Sequence, residues 1–533
     1  MDNPVLPELL DARVDVDADR PFLWCEGDTM TFGEAKERSD RVAAGLAEAG
    51  VEPGDRVALL TPNRTEMLEL FFACARAGAI QVPLNAFLKG EFLRYQLDDA
   101  QASTLITDEA GYRAVLPLLD QLPELRRIVL LDNHDVDVVG GAAVLSYSEL
   151  EASTAPVPSP ALDADDLVSI VYTSGTTGLP KGCMLPHGYY ARVSRCAVDF
   201  LGLGPDDVHL TGMPLFHAAA RLLVVGSALF TGGRAAIMEA FSPRRLLEVA
   251  AEIDATVTGG VGAMGAALLN LPPSDADRAH DMRLGWYVPL APEQQGQLRR
   301  RFGFADITTE LYGQTECFPA VYNHLRGARN IASDGREAED LEVSIVDDDD
   351  NEVPIGVPGE ITIRPKARHA MFKGYWGKPE ATLEAFRYLW YHTGDYGRCD
   401  EDGFVYFVDR KKDALRRRGE NVSSVELESA IGAHPNIAEV AVHAVPSDLS
   451  EDDIKACLVL VEDTALNPAE AFAFFKAELP YFAIPRYVEI LDALPRNAVE
   501  RVMKHQLRDR GVTAETWDLE SLGLTVDRAE RRA

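Results

Sequence analysis

Ten residues, Thr173-Ser-Gly-Thr-Thr-Gly-Leu-Pro-Lys-Gly182, constrain this chain more than any other stretch. Three glycines are interleaved with four hydroxyl side chains, and a lysine closes the run. Gly175, Gly178 and Gly182 lack a Cβ, so successive backbone N–H groups can turn toward an anion. Ser174, Thr176 and Thr177 add hydroxyl donors, and Lys181 adds a charge. The apolar runs Val168–Tyr172 and Cys183–Leu185 on either side predict two strands joined by this loop. A loop so composed grips phosphate, and the ligand it implies is ATP or an adenylate. The plainer reading is a polar hairpin tip. A Walker loop is excluded, because Pro180 stands where its spacing needs glycine.

At 533 residues the chain exceeds what one hydrophobic core usually supports, and 47% hydrophobic residues supply material for at least two domains. Between about residues 20 and 345, helical patterns such as Phe32–Glu48 and Arg64–Ala77 alternate with short apolar strands such as Val57–Leu60 and Ala79–Val82. This alternation predicts an α/β fold with mainly parallel sheets. Asp347-Asp-Asp-Asp-Asn-Glu352 reads as a solvated turn between strands, since adjacent carboxylates repel; a calcium loop would need a fuller ligand pattern. Beyond Arg410-Lys-Lys412 the pattern becomes a small α+β unit, with helices at 424–432 and 469–479 and extended segments at 437–445 and 487–491. The expected organisation is a large multi-subdomain N-terminal domain, 1–411, and a mobile C-terminal domain, 412–533.

With 52 basic against 85 acidic residues the net charge is −33, which argues against nucleic acid and anionic membranes as partners. The seven cysteines have neither a CxxC pair nor metal-ligand spacing, and no basic, apolar leader opens the chain. A reducing compartment, the cytoplasm, is the expectation.

Further blocks follow the phosphate loop in order: Met213-Pro-Leu-Phe-His217, Leu311-Tyr-Gly-Gln-Thr-Glu316, Tyr391-His-Thr-Gly-Asp395, Asp409-Arg-Lys-Lys-Asp413 and Arg418-Gly-Glu-Asn-Val422. With the loop they resemble the signature of the adenylate-forming superfamily, in its acyl- and aryl-CoA ligase branch, and the resemblance covers essentially the full chain. It implies CoA, ATP or AMP as an acyl-adenylate, and a small-molecule carboxylic acid as ligands, with Mg²⁺ as the accompanying ion. It implies two half-reactions at one site: the acid attacks the α-phosphate of ATP, then the small domain rotates and a thiol attacks the acyl carbon.

Residue by residue, the resemblance gives the stretch Thr173, Ser174, Gly175, Thr176, Thr177, Gly178 and Lys181 to the phosphates, with Tyr312 in the nucleotide site. Asp395 would accept the ribose hydroxyls and Arg410 would supply a second ribose-phosphate contact. Thr315 would meet the α-phosphate and Glu316 would hold Mg²⁺. His217 would border the acyl carboxylate, Lys412 would be the hinge, and Gly419 would line the pantetheine tunnel. Each has a blander reading. Asp395 suits an Asx turn, Thr315-Glu316 a helix cap, His217 a satisfied core position and Gly419 a simple turn.

Two departures stand out. In Pro495-Arg-Asn-Ala-Val-Glu-Arg-Val-Met-Lys504, Arg501 occupies the place of the family's adenylating lysine, and a planar fork does not replace a compact ammonium. Lys504 is offset by three residues. The small-residue loop that cradles adenine in relatives is here Gly285-Trp-Tyr-Val-Pro-Leu-Ala-Pro292, with bulky residues. The expectation is an acid–thiol ligase that forms acyl-CoA from an acyl-adenylate and is weak or defective in adenylation, so that a separate enzyme could supply its adenylate. The small residues Ala218–Ala220 and Gly259–Gly265 suggest room for a bulky acid, or else tight helix packing. Other readings are a complete AMP-forming synthetase, a standalone adenylation domain loading a carrier protein, and a non-catalytic adenylate-binding protein.

Overall fold

Parallel strands buried on both faces read as continuous apolar runs, and two sheets of this kind form the N-terminal part of the computed structural model. It describes residues 4–132, 141–173, 179–290, 292–327, 329–410, 415–417, 420–422, 424–447, 452–495, 502 and 504–527, with Asp409, Arg410, Arg416, Glu420, Asn421, Val425 and His505 as backbone only. The first sheet runs, in spatial order, Ala143–Ser146, Arg127–Leu130, Thr104–Thr107, Arg56–Leu60, Ile80–Leu84, Leu167–Thr173 and Lys181–Pro186. All neighbours are parallel except the last pair, the two strands that flank the phosphate loop. The second runs Asp306–Thr308, Leu284–Val288, Val257–Val261, Val208–Thr211, Arg234–Ile237, Pro21–Cys25 and Asp28–Thr31, and only its last pair is antiparallel.

Helices Phe32–Glu48, Thr65–Ala77 and His187–Leu201 pack between these sheets in one core, which takes Val57, Leu59 and Val168 from the first sheet and Leu23, Ala235 and Trp286 from the second. The helix Phe32–Glu48 begins where its sequence dictates. Thr31 Oγ1 accepts from the Glu34 backbone N–H, and a Glu34 carboxylate oxygen accepts from Thr31 N–H at 2.8 Å, so two end-of-helix donors are satisfied reciprocally. Gly78, at φ +70°, ends the helix Thr65–Ala77 in the left-handed conformation that a side chain would resist.

An antiparallel sheet follows, built on Trp390–Cys399 with Gly359–Pro365, Leu341–Val346, Phe386–Arg387 and Val405–Arg410. The acidic run is a turn as expected: the Asp347 carboxylate accepts from the backbone N–H groups of Asp349 and Asn351, which holds its pKa below the usual range. The C-terminal unit has four strands, Ile437–Pro446, Asp452–Leu460, Tyr487–Ile490 and Trp517–Asp518, with helices Ser424–Gly432, Pro468–Glu478 and Lys504–Arg510. It meets the first sheet's outer helix Gly90–Asp99 and the turn before it, where Phe87 stacks edge-on against Tyr481 at 4.7 Å and Lys89 donates to the Lys476 carbonyl. All seven cysteines are free thiols. Among the described residues no helix is long and apolar enough to cross a membrane.

Candidate active site

The strand Leu167–Thr173 delivers its last residue to the carboxyl edge of the first sheet, where open α/β sheets bind ligands. Thr173 pairs with Lys181 on the returning strand, so both ends of the phosphate loop are fixed. Its middle, Ser174 to Gly178, lies outside the described residues, as do Lys412, Gly419 and Arg501. One anchor lies beneath the loop's far end: Tyr95 of the helix Gly90–Asp99 donates to the Pro180 carbonyl at 3.0 Å. Asp99, from the same helix, accepts from Tyr172 at 2.8 Å and pairs with Lys378.

Glu316 comes to Thr173 from the other side. One carboxylate oxygen accepts from Tyr375 OH at 3.0 Å and from Thr173 Oγ1 at 3.4 Å. Glu316 is only 5% exposed, and burial raises its pKa above the ordinary carboxylate value. The Lys181 ammonium lies 4.9 Å from the centre of the Tyr375 ring, a cation–π contact. Burial, then the neighbouring Glu316, raises the Tyr375 phenol far above its normal pKa, so it stays a donor. Thr315 is placed through its backbone, whose carbonyl accepts from Tyr189 OH at 2.9 Å.

Asp395 sits in the middle of Trp390–Cys399, 7% exposed, and accepts from Tyr312 OH at 2.9 Å and Gln314 Nε2 at 2.7 Å. Gln314 also donates to the Thr393 carbonyl and accepts from Tyr391 OH. Arg410 is the direct cross-strand partner of Asp395. The half-buried His217 stands apart, with its ring 4.5 Å from Phe216. Its segment is held by buried Asn63, which donates to the Met213 and Met238 carbonyls and accepts from Leu215 N–H.

The Tyr375 and Tyr391 hydroxyls are also hydrogen-bonded to each other, so Thr173, Lys181, Glu316, Tyr312 and Asp395 belong to one connected set of contacts, joined through Tyr375, Gln314 and Tyr391. The sequence motifs assign no role to these three linkers or to Asn63. Gln314 and Tyr391 lie inside the Leu311–Glu316 and Tyr391–Asp395 blocks, and the run Met371-Phe-Lys-Gly-Tyr-Trp376 is an apolar, aromatic signal for Tyr375. The arrangement offers oxygen donors of the kind Mg²⁺ takes, one carboxylate and a threonine hydroxyl, with phosphates to complete the shell. Among the described residues no three metal-ligating side chains converge.

Two expectations change. Trp286 and Tyr287, read as crowding an adenine loop, are strand residues whose side chains enter cores on opposite faces of the second sheet. The room expected along Gly259–Gly265 is largely filled. A Cβ at Gly259 would overlap the Trp286 indole, one at Gly260 the Met264 sulfur, and one at Gly262 the Pro289 carbonyl.

The AMP-binding enzyme family matches residues 10–376, and the AMP-binding enzyme C-terminal domain matches 426–501. A crotonobetaine/carnitine–CoA ligase of Salmonella paratyphi B is 34% identical over 499 residues, covering 91% of this chain and 95% of that protein. An o-succinylbenzoate CoA synthetase double mutant from Bacillus subtilis, bound with a product analogue, superposes with a TM-score of 0.82 at 27% identity, covering 95% of this chain and 99% of its own. The anthranilate CoA ligase AuaEII in complex with anthranoyl-AMP gives 0.72 at 26% identity, covering 95% and 97%.

Proposed function

We propose, given that this chain belongs to the AMP-binding enzyme family and is an acid–thiol ligase of it, that it makes acyl-CoA through an acyl-adenylate and that thioester formation is the stronger half-reaction. One observation carries this reading. A crotonobetaine/carnitine–CoA ligase 34% identical to this chain is covered over 95% of its length, and Arg501 stands where the resemblance expects the adenylating lysine.

In this reading the phosphate loop and Lys181 hold the α-phosphate, and Thr315 adds its hydroxyl. Asp395 takes the ribose hydroxyls beside Arg410, and Tyr312 and Gln314 fix the carboxylate's orientation. Glu316 is the protein's ligand to Mg²⁺, which when bound neutralises phosphate charge. His217 borders the acyl carbonyl. The thiolate sulfur of CoA attacks the acyl carbon, the acyl–oxygen bond breaks, and AMP leaves with the electron pair. The domain boundary at 411/412, the hinge at Lys412 and a tunnel wall at Gly419 belong to the same proposal.

Weak adenylation rests on Arg501, now without help from the adenine loop. Lys504 is a poor substitute for the absent lysine: Ser424 Oγ at 2.8 Å and Glu428 at 2.6 Å engage its ammonium within the small domain. A preformed adenylate from a separate enzyme would bypass the weak step.

The test supplies ATP plus acid, and separately preformed acyl-AMP, each with CoA, and follows thioester. Preformed acyl-AMP should react faster by about 10²–10³-fold, the usual cost of one lost charge contact on a transferring group. Equal rates would make the protein a complete AMP-forming synthetase. Transfer to a carrier protein but not to CoA would make it a loading domain, and no product from either supply would leave only adenylate binding. The hinge gives a second expectation. Lys412→Pro fixes φ near about −65°, so thioester formation from acyl-AMP should fall while calorimetric binding of the adenylate persists. Parental turnover by the folded variant would remove the hinge.

A further inference from the structure

The second sheet places one bulky side chain where the sequence suggested open volume. Gly259 of Val257–Val261 is in register with Trp286 of Leu284–Val288. The indole lies so close over Gly259 that no side chain fits there, and Trp286 is 3% exposed. It faces the core that also holds Met213, Leu215, Ala218 and Ala220, which is the His217 segment; its neighbour Tyr287 faces the other core. The Met264 sulfur covers Gly260 beside Met213.

The indole is also locked in orientation. Trp286 Nε1 donates to His209 Nε2 at 2.8 Å, with the two rings nearly perpendicular at 82°. His209 is 2% exposed, and burial lowers its pKa to about 3, so Nε2 keeps the lone pair that accepts the bond. A tryptophan held by a buried hydrogen bond cannot swing aside as a methionine would.

We propose that Trp286, anchored by His209 and flanked by Met264, is the floor of the acyl chamber, and that the protein selects compact, short-chain acids over long-chain or polycyclic ones. The inference rests on the acyl-adenylate reading of the His217 side of the site. It replaces the bulky-acid expectation, because the glycines that suggested space are the seats of larger side chains.

The experiment measures calorimetric binding of non-hydrolysable acyl-sulfamoyl-adenosines, from acetyl through butanoyl and octanoyl to dodecanoyl, with a naphthoyl member. Binding does not depend on thiol transfer, so absence of thioester from any adenylate would overturn the ligase reading while the length profile still judges this one. The parent should favour short chains and lose about 10-fold or more per excess methylene once the floor is reached. Trp286→Ala should gain about 10–10²-fold for octanoyl and keep butanoyl within about tenfold. Met264→Ala, at a half-buried helical position, should shift preference the same way by less, and it carries the test if the tryptophan variant misfolds. An unchanged length profile in the folded variants overturns the proposal. So does a parent that binds dodecanoyl or naphthoyl as tightly as butanoyl, and so does failure of every analogue to bind.

Discussion

Replacing Asp395 with alanine is expected to weaken binding of an acyl-adenylate analogue by about two to four orders of magnitude, since two charge-assisted hydrogen bonds to ribose at ~1.5–3 kcal/mol each would be lost. The carboxylate is already oriented by Tyr312 and Gln314, so the ligand does not bear the cost of ordering it. The same contacts require a control, because alanine strands the buried Tyr312 phenol and the half-buried Gln314 amide. Asp395→Asn retains the shape and one acceptor, and should fall between parent and alanine variant. Calorimetry on variants with cooperative melting decides the matter; unchanged affinity in Asp395→Ala would remove this residue from the nucleotide site.

Glu316→Gln is expected to move stability and activity in opposite directions. Burial raises the carboxyl's folded pKa above its ordinary 4.5. The favourable contribution of the protonated form is therefore complete below that value and is lost as pH climbs through the folded pKa. Glutamine carries no ionisation penalty, so at neutral pH the variant should be more stable by roughly 1–3 kcal/mol, with the advantage shrinking in acid. The ATP-dependent activity the protein has should fall by about 10²–10³-fold if this carboxylate serves the metal. Melting curves at two pH values with parallel turnover assays read both. A variant less stable than the parent at neutral pH, with full activity, would show that Glu316 is a structural carboxylate.

Much of the fold was legible because its signals are local. The capping box Thr31/Glu34 marks the start of Phe32–Glu48 to the residue, and contiguous apolar runs announce the strands Leu167–Thr173 and Lys181–Pro186. The strand Asp452–Leu460 escapes a hydrophobic-pattern reading, because Asp452, Asp453 and Lys455 interrupt its apolar run. Lys455 is nevertheless fully buried and paired with Glu489 of the neighbouring strand, a partner that only the tertiary structure supplies. The same limit applied at the site. Thr173, Glu316 and Asp395 could be named from their motifs, but Tyr375 reaches Glu316 from a segment that bridges Cys183 across the sheet edge. The glycines misled for a related reason. A glycine reports a missing side chain, and only strand register reveals that Trp286 occupies the vacancy.

Tyr375 touches a cation with its face and an anion with its hydroxyl. Lys181 and Glu316 are opposite charges on the two walls of one crevice, and a flexible lysine beside a carboxylate ordinarily collapses onto it. Among the described residues no ion pair joins them. The phenol stands between them as a spacer, its face toward the ammonium and its hydroxyl donating to the carboxylate. In the proposed reading, phosphate would meet a lysine in contact with an aromatic face, and a metal would meet a carboxylate bonded to the Tyr375 and Thr173 hydroxyls beside the Cys183 thiol. Neither incoming group would have to break a Lys181–Glu316 salt bridge to enter.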